Sequence, residues 1–237
     1  MGNIPFPTPT LRQAGPACKW NAANPQGFMS VGGTNNKTAT LSQTSGQGGA
    51  FATNYGSVIG TVGKFNKRAY FEVAQANLTT SVGFQIAISP QINTSAAQGY
   101  YFGKPGMGIY AGMTNGASST VVECDDLNYS GVNLGAGAIN DVYGVALDGV
   151  NDLVWWSLNG VYYGWSQPDP ATGGSAVVGN PASGYGGIAI SHTIYYPGFQ
   201  GVLVRITGSF SCTATLKTRL SEQVYGPPLG FRAWDQA

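Results

Sequence analysis

Charged residues are scarce in this sequence. Lys and Arg together number 11 and Asp and Glu number 10, so only 9% of the 237 residues carry a charge, against about 25% in an average globular domain. Proteins that bind nucleic acid need clustered Lys and Arg to neutralise phosphates, whereas the formal net charge here is +1. We interpret the one short basic run, Lys64, Lys67 and Arg68, as the solvated start of a strand. The sequence therefore predicts no nucleic-acid partner.

Cysteine and histidine are also rare. The three cysteines, Cys18, Cys124 and Cys212, are odd in number and widely spaced, which argues against a disulfide framework and against a zinc cluster. We expect free, mostly buried thiols, although a single bridge between two of them stays open. His192 is the only histidine. We expect it at a strand end as a hydrogen-bonded side chain, not in a catalytic triad.

Long apolar segments are missing as well. No stretch of about 18 apolar residues occurs, so we expect no membrane span. The N-terminus has no charged segment followed by an apolar one, and therefore shows no secretory signal. Residues 1–17 contain four prolines, which favour an extended arm. The predicted organisation is this arm followed by one domain over residues 18–237, and we expect any homo-oligomer to form through the arm.

What the sequence does contain is short apolar runs separated by glycine, of which there are 36. The clearest predicted strand is 81–89, whose apolar face would carry Val82, Phe84, Ile86 and Ile88. A second, half-buried strand is predicted over 68–73, with Ala69, Phe71 and Val73 on its apolar face. Further strands are expected at 187–190 and 202–206. No long segment repeats apolar residues with the period of a helix, so the pattern predicts an all-β protein.

A hairpin is predicted between residues 141 and 163. Its strands are separated by an Asp-Gly turn at Asp148 and followed by an Asn-Gly turn at Asn159, because these pairs supply the positive φ angles of tight turns. Alternation places Val154, Trp156 and Leu158 on one face of the second strand and Leu153, Trp155 and Ser157 on the other.

This hairpin carries a family resemblance. The runs Val145–Asp148 and Leu153–Val161 resemble the SPRY signature, in which a strand ending in Leu-Asp precedes an aromatic strand ending in Ser-Leu-Asn-Gly. The segments 70–73 and 195–197 are similar to the family's early strand and late aromatic-Pro segment. The ending 225–234 looks like the closing segment of SPRY-like domains from bacteriophage and bacterial proteins.

The resemblance runs in the family's order from Trp20 to Trp234. It implies a two-sheet antiparallel β-sandwich of the concanavalin A-like, jelly-roll kind. It also implies a domain that binds proteins or peptides through loops at one edge and has no catalytic residues.

A hydrolase is the main alternative from another class, because glucanases share this gross shape. They place carboxylates on one strand as Glu-x-Asp-x-x-Glu, whereas the nearest segment here, 123–128, begins with Glu123 and ends with Asn128. We therefore predict no catalytic residues. Calcium could bind loop oxygens at 125–128 or at 148–152, but turn formation explains the same Asp and Asn residues. We predict no metal and no cofactor.

Loop aromatics are the candidate contact residues, because exposed Tyr and Trp anchor protein and sugar partners. The predicted binding set is Tyr101, Tyr110, Asn115, Tyr129, Trp165, Tyr195 and Tyr196. The leading hypothesis is a bacteriophage virion component, either a tail- or fibre-associated module or a capsid decoration protein. It would be made in a host cytoplasm, localise to the virion and contact other virion proteins or a host surface receptor or glycan. The alternatives are a lectin or glucanase-like sandwich and an intracellular peptide-binding adaptor.

Overall fold

The described part of the chain consists of strands and short 3-10 turns. The computed structural model describes residues 16–23, 25–43, 55–76, 82–89, 112–113, 122–124, 127–129, 139–167, 173–203 and 210–237. Within these ranges no α-helix occurs, so the all-β prediction is confirmed. The predicted arm over 1–17 lies outside the described residues except for Pro16 and Ala17.

One of the two large sheets has five strands, all paired antiparallel. In chain order they are β1 (Gln26–Gly27), β4 (Tyr55–Ile59), β6 (Val82–Ser89), β7 (Gly112–Met113) and β15 (Tyr196–Leu203). Their spatial order is β1-β4-β15-β6-β7. The late strand β15 therefore lies in the middle of the sheet, between two early ones.

The second large sheet has ten strands. In chain order they are β2 (Met29–Gly32), β3 (Thr38–Gln43), β5 (Arg68–Ala76), β10 (Val142–Asp148), β11 (Leu153–Leu158), β12 (Val161–Trp165), β13 (Ala176–Val178), β14 (Ile188–Ala189), β16 (Phe210–Lys217) and β17 (Arg232–Ala233). The main path is β13-β12-β11-β10-β5-β16-β3-β2, with β14 beside β11. The short β17 pairs parallel to β5, next to the point where β16 ends.

Smaller elements complete the description. The strands β8 (Val122–Cys124) and β9 (Leu127–Tyr129) form a two-stranded ribbon. Short 3-10 turns occur at Thr34–Asn36, Pro181–Ser183, Leu220–Glu222 and Trp234–Gln236.

The main core lies between the two large sheets. The ten-stranded sheet contributes residues such as Phe71, Val145 and Trp156, and the five-stranded sheet contributes Ile86 and Phe199. The predicted faces of β11 are confirmed. Val154, Trp156 and Leu158 pack in this core, whereas Leu153 and Trp155 pack in a separate cluster on the other face. Phe84 lies in β6, but its side chain is outside the described part of the structure.

The hairpin turns show where positive φ angles are needed. Asn159 and Gly160 have φ angles of 50° and 83° and join β11 to β12 through a two-residue loop, as predicted. In the preceding turn the positive φ, 55°, falls on Asp152. The prediction that the Asp148-Gly149 pair supplies the positive φ angle is wrong. The loop between the two strands has four residues, 149–152, and its positive φ angle falls on the last of them.

The strand β15 differs most from the prediction. A strand was expected at 202–206, yet β15 begins at Tyr196 and the described residues end at Leu203. Pro197 has no N–H to donate, but it sits near the start of the strand, and its carbonyl accepts a hydrogen bond from Gly60 N at 2.7 Å. Proline and two glycines mask the alternation that would otherwise reveal the strand.

The strand β5 is buried on both faces, so the prediction of a half-buried strand is wrong. Tyr70 and Glu72 point away from the main core and are nevertheless fully buried, because the C-terminal segment, residues 218–237, crosses the outer face of the sheet. Phe231 of this segment packs edge-on against Trp155, with ring centroids 6.2 Å apart. Gly144 allows this arrangement, since a side chain there would collide with the Tyr70 hydroxyl.

Candidate functional site

Three loops meet at one end of the sandwich. We call residues 60–67, 148–152 and 190–195 together the loop end. Backbone hydrogen bonds tie the loops to one another. Gly149 N donates to Lys67 O at 2.9 Å, Lys64 N to Tyr195 O at 2.8 Å, and Ile190 N to Asp152 O at 2.9 Å. The loop end is therefore a pre-formed surface on a rigid scaffold, the usual setting for binding residues.

The loop end exposes apolar and aromatic side chains. Phe65 is 46% exposed, and Val150 and Ile194 are exposed to a similar degree. The Phe65 ring meets the His192 ring edge-on at a centroid distance of 4.8 Å. His192 Nδ1 in turn lies 2.7 Å from Asp152 Oδ1. This mixture of an aromatic ring, aliphatic side chains and a hydrogen-bonded imidazole suits contact with a partner surface.

Of the predicted binding residues, the structure brings Tyr195 and Tyr196 to the loop end. Tyr196 is half-buried, and a Cβ at Gly63 would meet its ring. Tyr195 is only 5% exposed, and its hydroxyl donates to Ser191 O at 3.0 Å. The placement of Tyr195 among exposed loop aromatics is therefore corrected, because its ring packs in the main core.

Trp165 lies elsewhere, at the end of β12. Its half-buried indole packs against the main core, and its Nε1 donates to Gly173 O at 3.3 Å. Tyr101, Tyr110 and Asn115 lie outside the described residues. The backbone of Tyr129 is part of β9, but its side chain is outside the description.

Phe65 is the loop-end aromatic residue that the prediction missed, and the exposed Val150 and Ile194 were not predicted either. Phe65 stands inside the basic run that we read only as the start of a strand, directly before Asn66, which has a φ of 52°. An aromatic residue inside a turn is exposed unless another segment covers it, and this was the available signal.

The described thiols are poor nucleophiles. Cys18 and Cys212 are free and buried, as predicted. Burial raises the pKa of the Cys18 thiol to about 11 and that of the Cys212 thiol to about 12. Since the thiolate is the reactive form, neither is poised to attack a substrate at neutral pH. The Cys124 side chain lies outside the described part.

The buried carboxylates serve the fold. Glu72 accepts hydrogen bonds from the backbone N–H groups of Val224, Tyr225 and Gly226 at 2.7, 2.9 and 3.1 Å, and from the Tyr70 hydroxyl at 3.1 Å. Three successive N–H groups aimed at one carboxylate form an anion nest. Glu72 therefore fastens the C-terminal segment to the sheet.

The two other buried carboxylates are bound in the same manner. Asp235 Oδ1 accepts from Cys18 N at 2.8 Å, and its Oδ2 accepts from the Thr218 hydroxyl at 3.0 Å. Asp148 accepts from two backbone N–H groups of its own turn, from Asn151 Nδ2 at 2.8 Å and from Arg68 Nε at 3.0 Å. Turn formation thus accounts for the Asp148 oxygens that were considered as calcium ligands.

The described His, Cys, Asp and Glu side chains do not cluster into a metal centre. His192 is a hydrogen-bonded side chain beyond the end of β14, as predicted, and its recorded neighbours are Asp152 and Phe65. Among the described ranges, no group of three His, Cys, Asp or Glu side chains could hold a metal. Glu123 pairs with Asn128 across the β8–β9 ribbon, but their side chains lie outside the description. The described part also contains no helix long and apolar enough to cross a membrane.

Solved structures with a similar fold include two SPRY domains. The SPRY domain of human HERC1 is similar with a TM-score of 0.54 and 10% identity, covering 84% of this chain and 96% of that one. The PSpry domain of TRIM65 gives 0.50 and 15% identity, covering 91% and 98%. A legume lectin-like domain from Entamoeba histolytica gives 0.48 and 10% identity, covering 81% and 86%. No protein-family model and no curated protein sequence matches the chain. The fold is thus a SPRY-like, concanavalin A-like β-sandwich.

Proposed function

We propose that this protein is a non-catalytic binding module that contacts its partner through the loop end. The observation that carries the proposal is the exposed set of Phe65, Val150 and Ile194 on loops held together by backbone hydrogen bonds. Such a surface is ordered before binding, so little conformational entropy is lost when a partner docks. Exposed aromatic and aliphatic side chains supply the apolar contact.

The absence of catalysis is part of the proposal. Three observations support it. Burial raises the pKa of the Cys18 thiol, backbone N–H groups bind the buried Glu72 carboxylate, and the His192 imidazole is hydrogen-bonded to Asp152. An assay for reducing sugar released from polysaccharides tests it directly. Release that is lost in Glu123→Gln would identify a glucanase and contradict the proposal.

We further propose that the protein is a bacteriophage virion component, associated with a tail or fibre or decorating a capsid, and located in the virion. Three sequence features support this role: the closing segment 225–234, which resembles the ends of bacteriophage and bacterial SPRY-like domains, the low content of charge, and the proline-rich residues 1–17. In this role the loop end contacts a neighbouring virion subunit or a host surface receptor.

Mass spectrometry of purified phage particles from the source culture tests the virion role. We expect the chain to be present in intact particles, with a copy number per particle that does not fall during density-gradient purification. Its absence from particles, together with its recovery on proteins of the uninfected host, would favour an intracellular adaptor instead.

The loop end is tested on the same particles. Phe65→Ala and Val150→Ser should lower incorporation or host attachment, because both substitutions remove exposed contact area without disturbing the core. Val178→Ser is the matched control, since Val178 is exposed on the edge strand β13 and lies outside the loop end. Equal effects of all three substitutions would contradict the assignment.

A further inference from the structure

A basic pocket opens beside the loop end. It has a volume of about 260 Å³ and is lined by Lys67, Arg68, Gly230, Arg232 and Ala237. Three of these five residues carry cationic side chains and none carries an acidic side chain. The carboxyl group of Ala237 also lies at the pocket, and its oxygen accepts a hydrogen bond from a fourth cation, Lys64 Nζ, at 2.9 Å. In a chain with only 11 Lys and Arg, this is a concentrated positive charge, and a concave wall strengthens its field.

Arg68 is held in position for this pocket. Its Nε donates to Asp148 Oδ2 at 3.0 Å, and its guanidinium carbon lies 6.0 Å from the centre of the Phe231 ring. Asp148 is fixed in turn by its own hydrogen bonds, and Phe231 is fixed by Trp155. The terminal guanidinium nitrogens lie at the pocket wall. Arg68 Nη1 is next to Gly230, since it would lie 3.7 Å from a Cβ built there.

Gly230 forms part of the pocket wall. Its φ angle is +87°, a conformation that favours glycine. The backbone therefore approaches Arg68 without a side chain between them.

The two other cations are not paired with an Asp or Glu side chain in the described part of the chain. Asp148 is the carboxylate paired with Arg68, whereas no described Asp or Glu side chain forms an ion pair with Lys67 or Arg232. The Ala237 oxygen accepts from Lys64 Nζ. Both side chains are exposed. An incoming anion would therefore gain charge-assisted hydrogen bonds without displacing an existing partner.

We propose that this pocket binds carboxylate groups from an acidic peptide segment of the partner protein. Guanidinium groups bind planar carboxylates through two parallel hydrogen bonds. A peptide is favoured over an acidic sugar for two reasons. The lining residues include no aromatic side chain on which a sugar ring could stack. Leu229, which precedes Gly230, is 85% exposed and offers an aliphatic rim for an apolar residue beside the acidic one.

This inference rests on the proposed binding role, and it is tested on the purified full chain. The probes are the capped peptide Gly-Glu-Leu-Glu-Gly and its analogue with both Glu residues replaced by Gln, titrated calorimetrically at low and at physiological ionic strength. We expect the Glu peptide to bind at least about tenfold more tightly, as one charge-assisted contact would give. Its binding should weaken as salt rises.

Substitutions locate the binding. The double variant Lys67→Gln/Arg232→Gln should lower affinity for the Glu peptide by about tenfold or more. Lys19→Gln is the matched control, because Lys19 is an exposed lysine that does not line the pocket. Thermal melts of all variants verify that they are folded. Equal binding of the two peptides, or an equal loss in Lys19→Gln, would overturn the proposal.

Sodium glucuronate and inorganic phosphate form separate arms of the titration. Tighter binding of either than of the Glu peptide would contradict the peptide assignment. The result is independent of particle composition. A chain absent from particles that still binds the Glu peptide would refute only the virion role, and a virion protein that fails to bind it would refute only the pocket.

Discussion

At the scale of single residues, Glu72 is the most informative side chain. A fully buried carboxylate is costly unless its oxygens are satisfied, and here backbone N–H groups and a hydroxyl satisfy them. The charge therefore orders a segment about 150 residues away in sequence, which has little regular structure of its own. The Glu in the 70–73 segment has a structural explanation.

Replacing this charge tests the explanation. Glu72→Gln should lower the free energy of unfolding by roughly 2–3 kcal/mol, since the amide presents an N–H₂ group to backbone donors and the charge-assisted bonds are lost. Chemical denaturation measures the change. Asp152→Asn is the control, because this carboxylate is partly exposed and its hydrogen bond to His192 should contribute less than about 1 kcal/mol. A Glu72→Gln variant as stable as the wild type would contradict the account.

Trp156 tests the core. Its fully buried ring lies between the two large sheets, so Trp156→Ala should cost about 3–5 kcal/mol of stability. Val178→Ala, on an exposed edge position, should change stability by less than about 0.5 kcal/mol. A melting temperature near that of the wild type for Trp156→Ala would refute the assignment of β11 to the core.

The two described thiols give a prediction about reactivity. Because burial raises the pKa of Cys18 and Cys212, both stay protonated between pH 7 and 8. In a Cys124→Ser background, Ellman's reagent should modify neither thiol until denaturant is added. Rapid modification of the native protein at pH 8 would show that these cysteines are accessible.

At the scale of elements, the alternation of side chains predicted β5, β6 and β11 closely, and the turn residues predicted the hairpin that contains β10. It succeeded because each of these strands has an apolar face of Val, Ile, Leu or aromatic residues, and a period of two identifies that face directly. It could not reveal that β5 is buried on both faces. The covering residues, such as Phe231, lie far away in sequence and have no periodic pattern.

The candidate binding site was harder to predict from the sequence than the fold was. The exposure of a loop residue depends on which other segments pack over it. Tyr195 was predicted to be exposed and is buried, whereas Phe65 was not predicted as a contact residue and is exposed. Neighbouring aromatics such as Tyr195 and Tyr196 look alike in sequence, yet one is in the core and the other is half-buried. The basic pocket joins residues 67–68 to residues 230–237, and only the fold brings these together.

Two truncations separate the roles of the chain's ends. Removing residues 219–237 should unfold the protein, because it removes Trp234, whose buried indole donates to Val62 O at 2.8 Å and packs edge-on against Phe71. Removing residues 1–17 should leave the sandwich folded and weaken assembly, because Cys18 is the first buried residue in the part of the chain that the structure describes. Circular dichroism measures whether each truncated chain is folded. A folded 219–237 deletion, or an unfolded 1–17 deletion, would contradict these assignments.

At the scale of the whole molecule, the C-terminal segment and the loop end have complementary roles. The segment seals the outer face of the ten-stranded sheet and packs Trp234 into the core. It also brings Gly230 and Arg232 beside Arg68, so that the closure of the fold and the basic pocket depend on the same residues. In the proposed function, the partner docks at one end of the sandwich while both faces of β5 stay buried.

A buried carboxylate fastens the C-terminal segment to the SPRY-like sandwich, and residue-resolved hydrogen–deuterium exchange of the native protein measures this fastening. The amides of Val224, Tyr225 and Gly226 should exchange nearly as slowly as those of β5, because opening them requires release of Glu72. Exchange of these three amides at the rate of an exposed loop would contradict it.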